Sequence, residues 1–215
     1  MAIKIYLDGA GLADMERLIG QCDGLTTNPS LLRKAGITDY HEFAQEVLEI
    51  ADGKPVSFEV LADEWEEIYR QAHIIAAWGD NCFVKIPIMT TNGTSNVPLI
   101  AKLAHLKLNI TAVFTTKQIN DLRPVVTKNH IVSVFAGRIL DADGGVPRIR
   151  RLAAQALWAS TRQTHDLTTA HILGYSIITM TADLIAKLPL RGKDLHEYSR
   201  ETVQQFVKDA AGLRL

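Results

Sequence analysis

A lysine stands in the middle of an apolar run, Cys82-Phe83-Val84-Lys85-Ile86-Pro87-Ile88. An ammonium buried there loses hydration, which favours the neutral and nucleophilic amine. The bland alternative is a side chain that snorkels to the surface or pairs with a buried acid, so its neighbours decide. In Val56-Ser57-Phe58-Glu59-Val60 the alternation puts Ser57 and Glu59 on one face and three apolar residues on the other. Asp8 closes a similar run over 3–8. Thr26 and Asn28 share a face of 24–28, Asn109 and Thr111 a face of 108–114, and Ser133 and Phe135 a face of 131–137, while Ser160 closes 156–160. Taken singly, each has a structural explanation, such as a helix cap at Asp8 or a turn before Pro29 at Asn28. Taken together, one amine, two carboxylates and several neutral hydrogen-bonding groups suit Schiff-base chemistry on a polyhydroxylated carbonyl compound.

An anion site can be sought separately. Arg138 follows the run over 131–137 and Arg162 follows Ser160, so adjacent loops can bring two guanidinium groups and a hydroxyl to one phosphate. The competing reading makes both surface arginines, with Asp141 or Asp143 as partners. The seven histidines are scattered without paired ligand spacing, which argues against a zinc-dependent mechanism, and no metal is expected.

Positioning these groups requires eight strands. Runs over 3–8, 24–28, 55–60, 82–88, 108–114, 131–137, 156–160 and 176–180 alternate with segments of helical period, such as Phe43, Val47 and Ile50 or Trp65, Ile68, Tyr69 and Ala72. Asp39 with Glu42, Asp63 with Glu66 and Asp194 with Glu197 have capping-box spacing and predict helix starts. Strand then helix, repeated, means parallel strands, and eight units predict a single-domain α/β fold over 1–215, a (β/α)8 TIM barrel with an extra C-terminal helix at about 194–211. An open doubly wound sheet lacks its Gly-rich nucleotide turn, because Asp8-Gly9-Ala10-Gly11 does not continue as the required motif.

Composition bounds the partners. With 23 basic and 24 acidic residues the net charge is -1, so neither nucleic acid nor an anionic membrane is an expected partner. Two cysteines, Cys22 and Cys82, are too few for a disulfide framework, and no secretory or spanning segment opens the sequence, so a cytoplasmic location is expected.

At these residues the chain resembles the transaldolase family, in particular the short form that includes fructose-6-phosphate aldolase. The matching pieces run in family order over nearly the whole chain: Tyr6-Leu7-Asp8, Gly24-Leu25-Thr26-Thr27-Asn28-Pro29-Ser30, Ser57-Phe58-Glu59-Val60, Val84-Lys85-Ile86-Pro87, Asn109-Ile110-Thr111, Ser133-Val134-Phe135-Ala136-Gly137-Arg138 and Ala159-Ser160-Thr161-Arg162. The Thr-Thr-Asn-Pro-Ser segment and the Lys-Ile-Pro strand are the more specific ones. The resemblance implies that Lys85 forms a Schiff base with a ketose donor, that Asp8 is acid and base on the adjacent hydroxyl, and that Glu59 acts through a water held by Thr111. It further implies that Thr26, Asn28, Ser57, Asn109 and Ser133 hold the sugar, that Arg138, Ser160 and Arg162 hold its phosphate, and that no cofactor is needed.

Glu59 and Phe135 stand where the aldolase branch is similar to glutamine and tyrosine. The resemblance therefore implies transfer of a dihydroxyacetone unit between sugar phosphates. An aldolase that releases free dihydroxyacetone, or a silent sugar-phosphate binding protein, is the alternative. Two departures fall where substrate enters: Gly9-Ala10 replaces a small hydroxyl residue, and the polar run 89–96 replaces a shorter turn. The short family also implies a ring-based homo-oligomer, commonly a decamer. The apolar face of the last helix, with Leu195, Tyr198, Val203, Phe206 and Val207, packs either on its own barrel or on a neighbour.

Overall fold

Short branched runs form parallel strands and the longer amphipathic segments form helices in the computed structural model, which describes residues 2–214. The strands are β1 (Lys4–Asp8), β2 (Gly24–Thr26), β3 (Val56–Glu59), β4 (Cys82–Pro87), β5 (Leu108–Val113), β6 (Ile131–Val134), β7 (Gln155–Trp158) and β8 (Ile177–Met180). Each pairs in parallel with the next and β8 returns to β1, closing a barrel. The helices are α1 (Leu12–Leu18), α2 (Pro29–Lys34), α3 (Tyr40–Ala51), α4 (Trp65–Ala76), α5 (Val97–Lys102), α6 (Thr116–Leu122), α7 (Ala136–Asp141), α8 (Asp166–Leu173), α9 (Ala182–Ala186) and α10 (Leu195–Asp209).

The two faces of each strand enter different cores. Outward residues such as Leu7, Val56, Phe58, Val84, Ile86 and Ile110 pack against the helices in one large cluster. Inside the ring a smaller cluster of Tyr6, Phe83, Ile131, Leu157, Ala159 and Ile177 fills the barrel, with Leu157 and Ala159 reaching the polar layer. Register then aligns that layer, since Asp8 lies beside Thr26, Thr26 beside Ser57, Glu59 beside Lys85, and Lys85 beside Asn109.

Several strands stop earlier than the apolar runs suggest, for local reasons. Asn28 leaves β2 to cap α2, accepting from Leu31 N–H at 3.1 Å with Pro29 in the first turn. Phe135 and Ser160 lie just past β6 and β7. Asp39 and Asp194 cap α3 and α10, each accepting from an N–H three residues on at 2.8 Å. Asp63 does not cap α4. The helix begins at Trp65, one position too late for it, and Asp63 instead accepts Thr91 N–H at 2.8 Å and the Thr91 hydroxyl at 2.5 Å. That contact ties down the polar 89–96 loop, which folds back on itself through a bridge between Met89 and Ser95, turning at Gly93 with φ 85°.

The final helix is α10, two residues shorter than expected at its C-terminal end, and none of its residues is buried. Leu195, Val203, Phe206 and Val207 are 79%, 57%, 66% and 70% exposed, so their apolar face is left largely uncovered by the described residues. Among the described residues no helix is long and apolar enough to cross a membrane.

Candidate active site

Lys85 enters the barrel interior from the middle of β4 and is 6% exposed. Its Nζ donates to the Thr27 carbonyl at 2.6 Å and lies 3.1 Å from Glu59 Oε2 on the neighbouring strand. The lysine is therefore held in an ion pair with the acid beside it on the adjacent strand. Glu59 is fixed through its main chain, because the Tyr40 hydroxyl takes its N–H at 2.8 Å and donates to its carbonyl at 3.2 Å. Tyr40 in turn stands edge-on to Phe58 and Trp78.

Asp8 closes β1 across the ring and accepts the Thr26 hydroxyl at 2.8 Å. Burial raises its carboxyl above the usual carboxylate range; the Lys85 charge and the Thr26 hydrogen bond pull the other way, and the Glu59 charge adds to the rise. One acid beside the amine and a second, harder to ionise, facing the same space is an arrangement for moving protons.

The neutral groups form a chain along the wall. Ser133 Oγ donates to Asn109 Oδ1 at 2.6 Å, and Asn109 Nδ2 donates to Ser57 Oγ at 3.0 Å, which fixes the amide orientation. Thr111 lies within an irregularity of β5, where the register with β6 shifts between Ile110 and Val113 and Ala112 takes φ 56°. The Thr111 hydroxyl is buried with no protein partner, as befits a group kept for a water or a ligand.

A cavity with about 470 Å³ of empty space, its open mouth included, gathers Asp8, Thr26, Asn28, Lys85, Asn109, Thr111, Ser133, Phe135, Arg138 and Ser160. Ser57, Glu59 and Arg162 stand outside that lining. Ser57 lies behind Asn109, Glu59 lies beside the amine, and Arg162 points away, its Nη2 2.5 Å from Asp141 Oδ2. Arg138 stacks over the Phe135 ring at 5.0 Å. The loop carrying Ser160 is held tightly: Ser160 has φ 63°, and a Cβ added to Gly137 would stand 1.6 Å from the Ser160 carbonyl oxygen, so only glycine fits at the start of α7.

Three contributors escaped sequence reasoning. Thr179 lines the cavity, and its signal was a lone hydroxyl residue alternating with Ile177 in an apolar strand. The Thr27 carbonyl is a main-chain group, which residue type does not mark, and the Tyr40 hydroxyl bonds the main chain of Glu59, which any residue there would offer. Among the described residues, no three His, Cys, Asp or Glu side chains gather closely enough to hold a metal ion.

Known proteins resemble this chain in sequence and in fold. The family described as Transaldolase/Fructose-6-phosphate aldolase matches residues 5–214. A Listeria monocytogenes protein named "Probable transaldolase 2" is 32% identical over 219 residues, covering 96% of this chain and 95% of its own. A "Probable transaldolase" from Streptococcus equi subsp. zooepidemicus is 30% identical over 224 residues, covering 99% and 100%. In fold alone, orotidine 5'-monophosphate decarboxylase from Sulfolobus solfataricus is similar, with a TM-score of 0.55 at 12% identity over 83% of this chain and 88% of that one.

Proposed function

The chain belongs to the transaldolase/fructose-6-phosphate aldolase family, and from that premise we propose that it transfers a dihydroxyacetone unit from a ketose phosphate to an aldose phosphate through an imine on Lys85. The observation that carries this reading is an amine inside the barrel, 3.1 Å from one carboxylate and opening on the same cavity as a second.

Lys85 Nζ, having given its proton to Glu59, attacks the donor ketone, and loss of water leaves a protonated imine. Asp8 takes the proton of the hydroxyl on the carbon beyond the scissile bond. That bond breaks, an aldose phosphate leaves, and the electron pair enters the imine to make an enamine. The enamine then attacks an acceptor aldehyde, Asp8 returns the proton, and water releases the new ketose. The raised affinity of Asp8 for its proton suits this double duty. Thr111 holds the water through which Glu59 acts, Thr26, Asn28, Asn109 and Ser133 meet the sugar hydroxyls with Ser57 behind them, and Arg138, Ser160 and Arg162 meet the phosphate.

Glu59, rather than an amide, beside the amine favours transfer over release of free dihydroxyacetone, because glutamine cannot relay protons. Borohydride added to enzyme and fructose 6-phosphate is expected to fix a reduced adduct on Lys85. Turnover is expected only with an acceptor aldehyde. Acceptor-free turnover would establish the aldolase instead, and ligand binding without an adduct would leave only a binding protein.

The same reading includes a homo-oligomer in a reducing cytoplasm. The uncovered apolar face of α10 and the two free, buried cysteines support it. Phe206→Asp is expected to lower the mass measured by light scattering, and an unchanged mass would remove α10 from the assembly.

A further inference from the structure

The anion end of the cavity is lopsided. Arg138 and Ser160 line it, whereas the guanidinium of Arg162 is turned to the end of α7, where Nη2 meets Asp141 Oδ2 at 2.5 Å. The rest of Arg162 is anchored. Its N–H and that of Gln163 donate to the buried Asp166 at 2.9 and 3.3 Å, and its Cγ would lie 3.3 Å from a Cβ on Gly137. Only the outer side chain is free to change partner. The side chains of Arg162 and Asp141 are 54% and 53% exposed, so the pair is weak and readily exchanged. A phosphate seated at Arg138 and Ser160 offers that guanidinium a larger charge and a bidentate pair of oxygens.

We infer that Asp141 is a specificity-determining residue that competes with the substrate phosphate for Arg162. The inference rests on the reading of Arg138, Ser160 and Arg162 as the phosphate end. With an unphosphorylated sugar bound, Arg162 stays on Asp141 and only one arginine faces the cavity. With a phosphorylated sugar, Arg162 exchanges the carboxylate for phosphate oxygens and Asp141 is returned to water. Asp141 thereby sets how tightly phosphorylated substrates and products are held, and it leaves unphosphorylated ones alone.

The test measures binding of inorganic phosphate by calorimetry, and KM for fructose 6-phosphate against KM for fructose, in Asp141→Asn, Arg162→Ala and the double variant. Removing a competitor of this exposed kind is expected to tighten phosphate binding and lower the fructose 6-phosphate KM by about two- to fivefold. The fructose KM should not change, and the gain should vanish in the Arg162→Ala background. Asp143→Asn removes the same charge nearby and is expected to give a smaller effect. Weaker or unchanged phosphate binding in Asp141→Asn, an equal gain in Asp143→Asn, or a gain that survives loss of Arg162 would each overturn the inference. Failure of the imine reading is distinguishable, because it appears as a missing borohydride adduct in the unsubstituted enzyme while the phosphate titrations still report on Asp141.

Discussion

The two ends of this barrel treat buried polar groups in opposite ways. At the end where the strands begin, half-buried side chains answer main-chain groups: Lys54 Nζ donates to the carbonyls of Ile19 and Cys22 at 2.6 and 2.9 Å, and Asn81 Nδ2 to that of Lys54 at 2.8 Å. His130, fully buried near that end, takes Thr127 N–H on Nδ1 at 3.1 Å and meets the Ala104 carbonyl through Nε2 at 3.1 Å. At the other end Lys85 faces a carboxylate, Asp8 is hard to ionise, Thr111 has no protein partner and Ser160 is strained. Polarity at the first end is answered by main-chain groups, whereas the cavity end sets two acids about one amine and leaves the buried Thr111 hydroxyl without a protein partner.

The widest separation is expected between two lysines. Lys85→Ala should remove the borohydride adduct and lower kcat/KM by at least about 10⁴-fold, as loss of a covalent nucleophile does. Lys54→Met should leave kcat/KM nearly unchanged and lower Tm by several degrees, since two carbonyls lose their donor. An inactive but stable Lys54→Met protein would erase the contrast between the ends.

Asp8→Asn sharpens it from the other side. The rate is expected to fall about 10²- to 10⁴-fold, the usual cost of a lost acid and base. Stability should move the opposite way. Because burial raises the Asp8 carboxyl in the folded protein, its contribution is full below the unfolded carboxyl's range and is lost as pH rises through the folded value. Asparagine carries no such loss and still accepts from Thr26, so Tm should rise at neutral pH and the advantage should fade in acid. A lower Tm at pH 7 would contradict the burial argument.

The smallest effect concerns His130. Burial lowers its affinity for a proton, so the unfolded chain binds that proton first. Its stabilisation is therefore present above the ordinary histidine range and is lost as pH falls below it. Between pH 7 and 5 the Tm of the unsubstituted protein should drop more than that of His130→Gln, with kcat changing equally in both. Equal drops in Tm would mean that His130 does not titrate in this window.

Much of this was legible beforehand. All eight strands were legible as short runs, several of them rich in branched residues, and many of the polar residues intruding on them line the cavity, because strand alternation fixes which side chains share a face. What a side chain meets across the ring was less legible. Asp141 was nameable only as one of two partners for Arg162, since a loop arginine has many reachable acids. Asp63 had the right type and spacing for a cap, yet the helix started later and the long loop took its carboxylate. Thr179 has the type and place of any strand threonine, and only the cavity it lines sets it apart.

Because β1 hydrogen-bonds to β2 on one side and to β8 on the other, its place is settled only when both are present. Asp8 lies on the first strand of the barrel in chain order, yet one of the two strands that hold it is the last. Without β8 the strand that carries Lys85 would keep both of its neighbours, whereas the strand that ends in Asp8 would be paired on one side only.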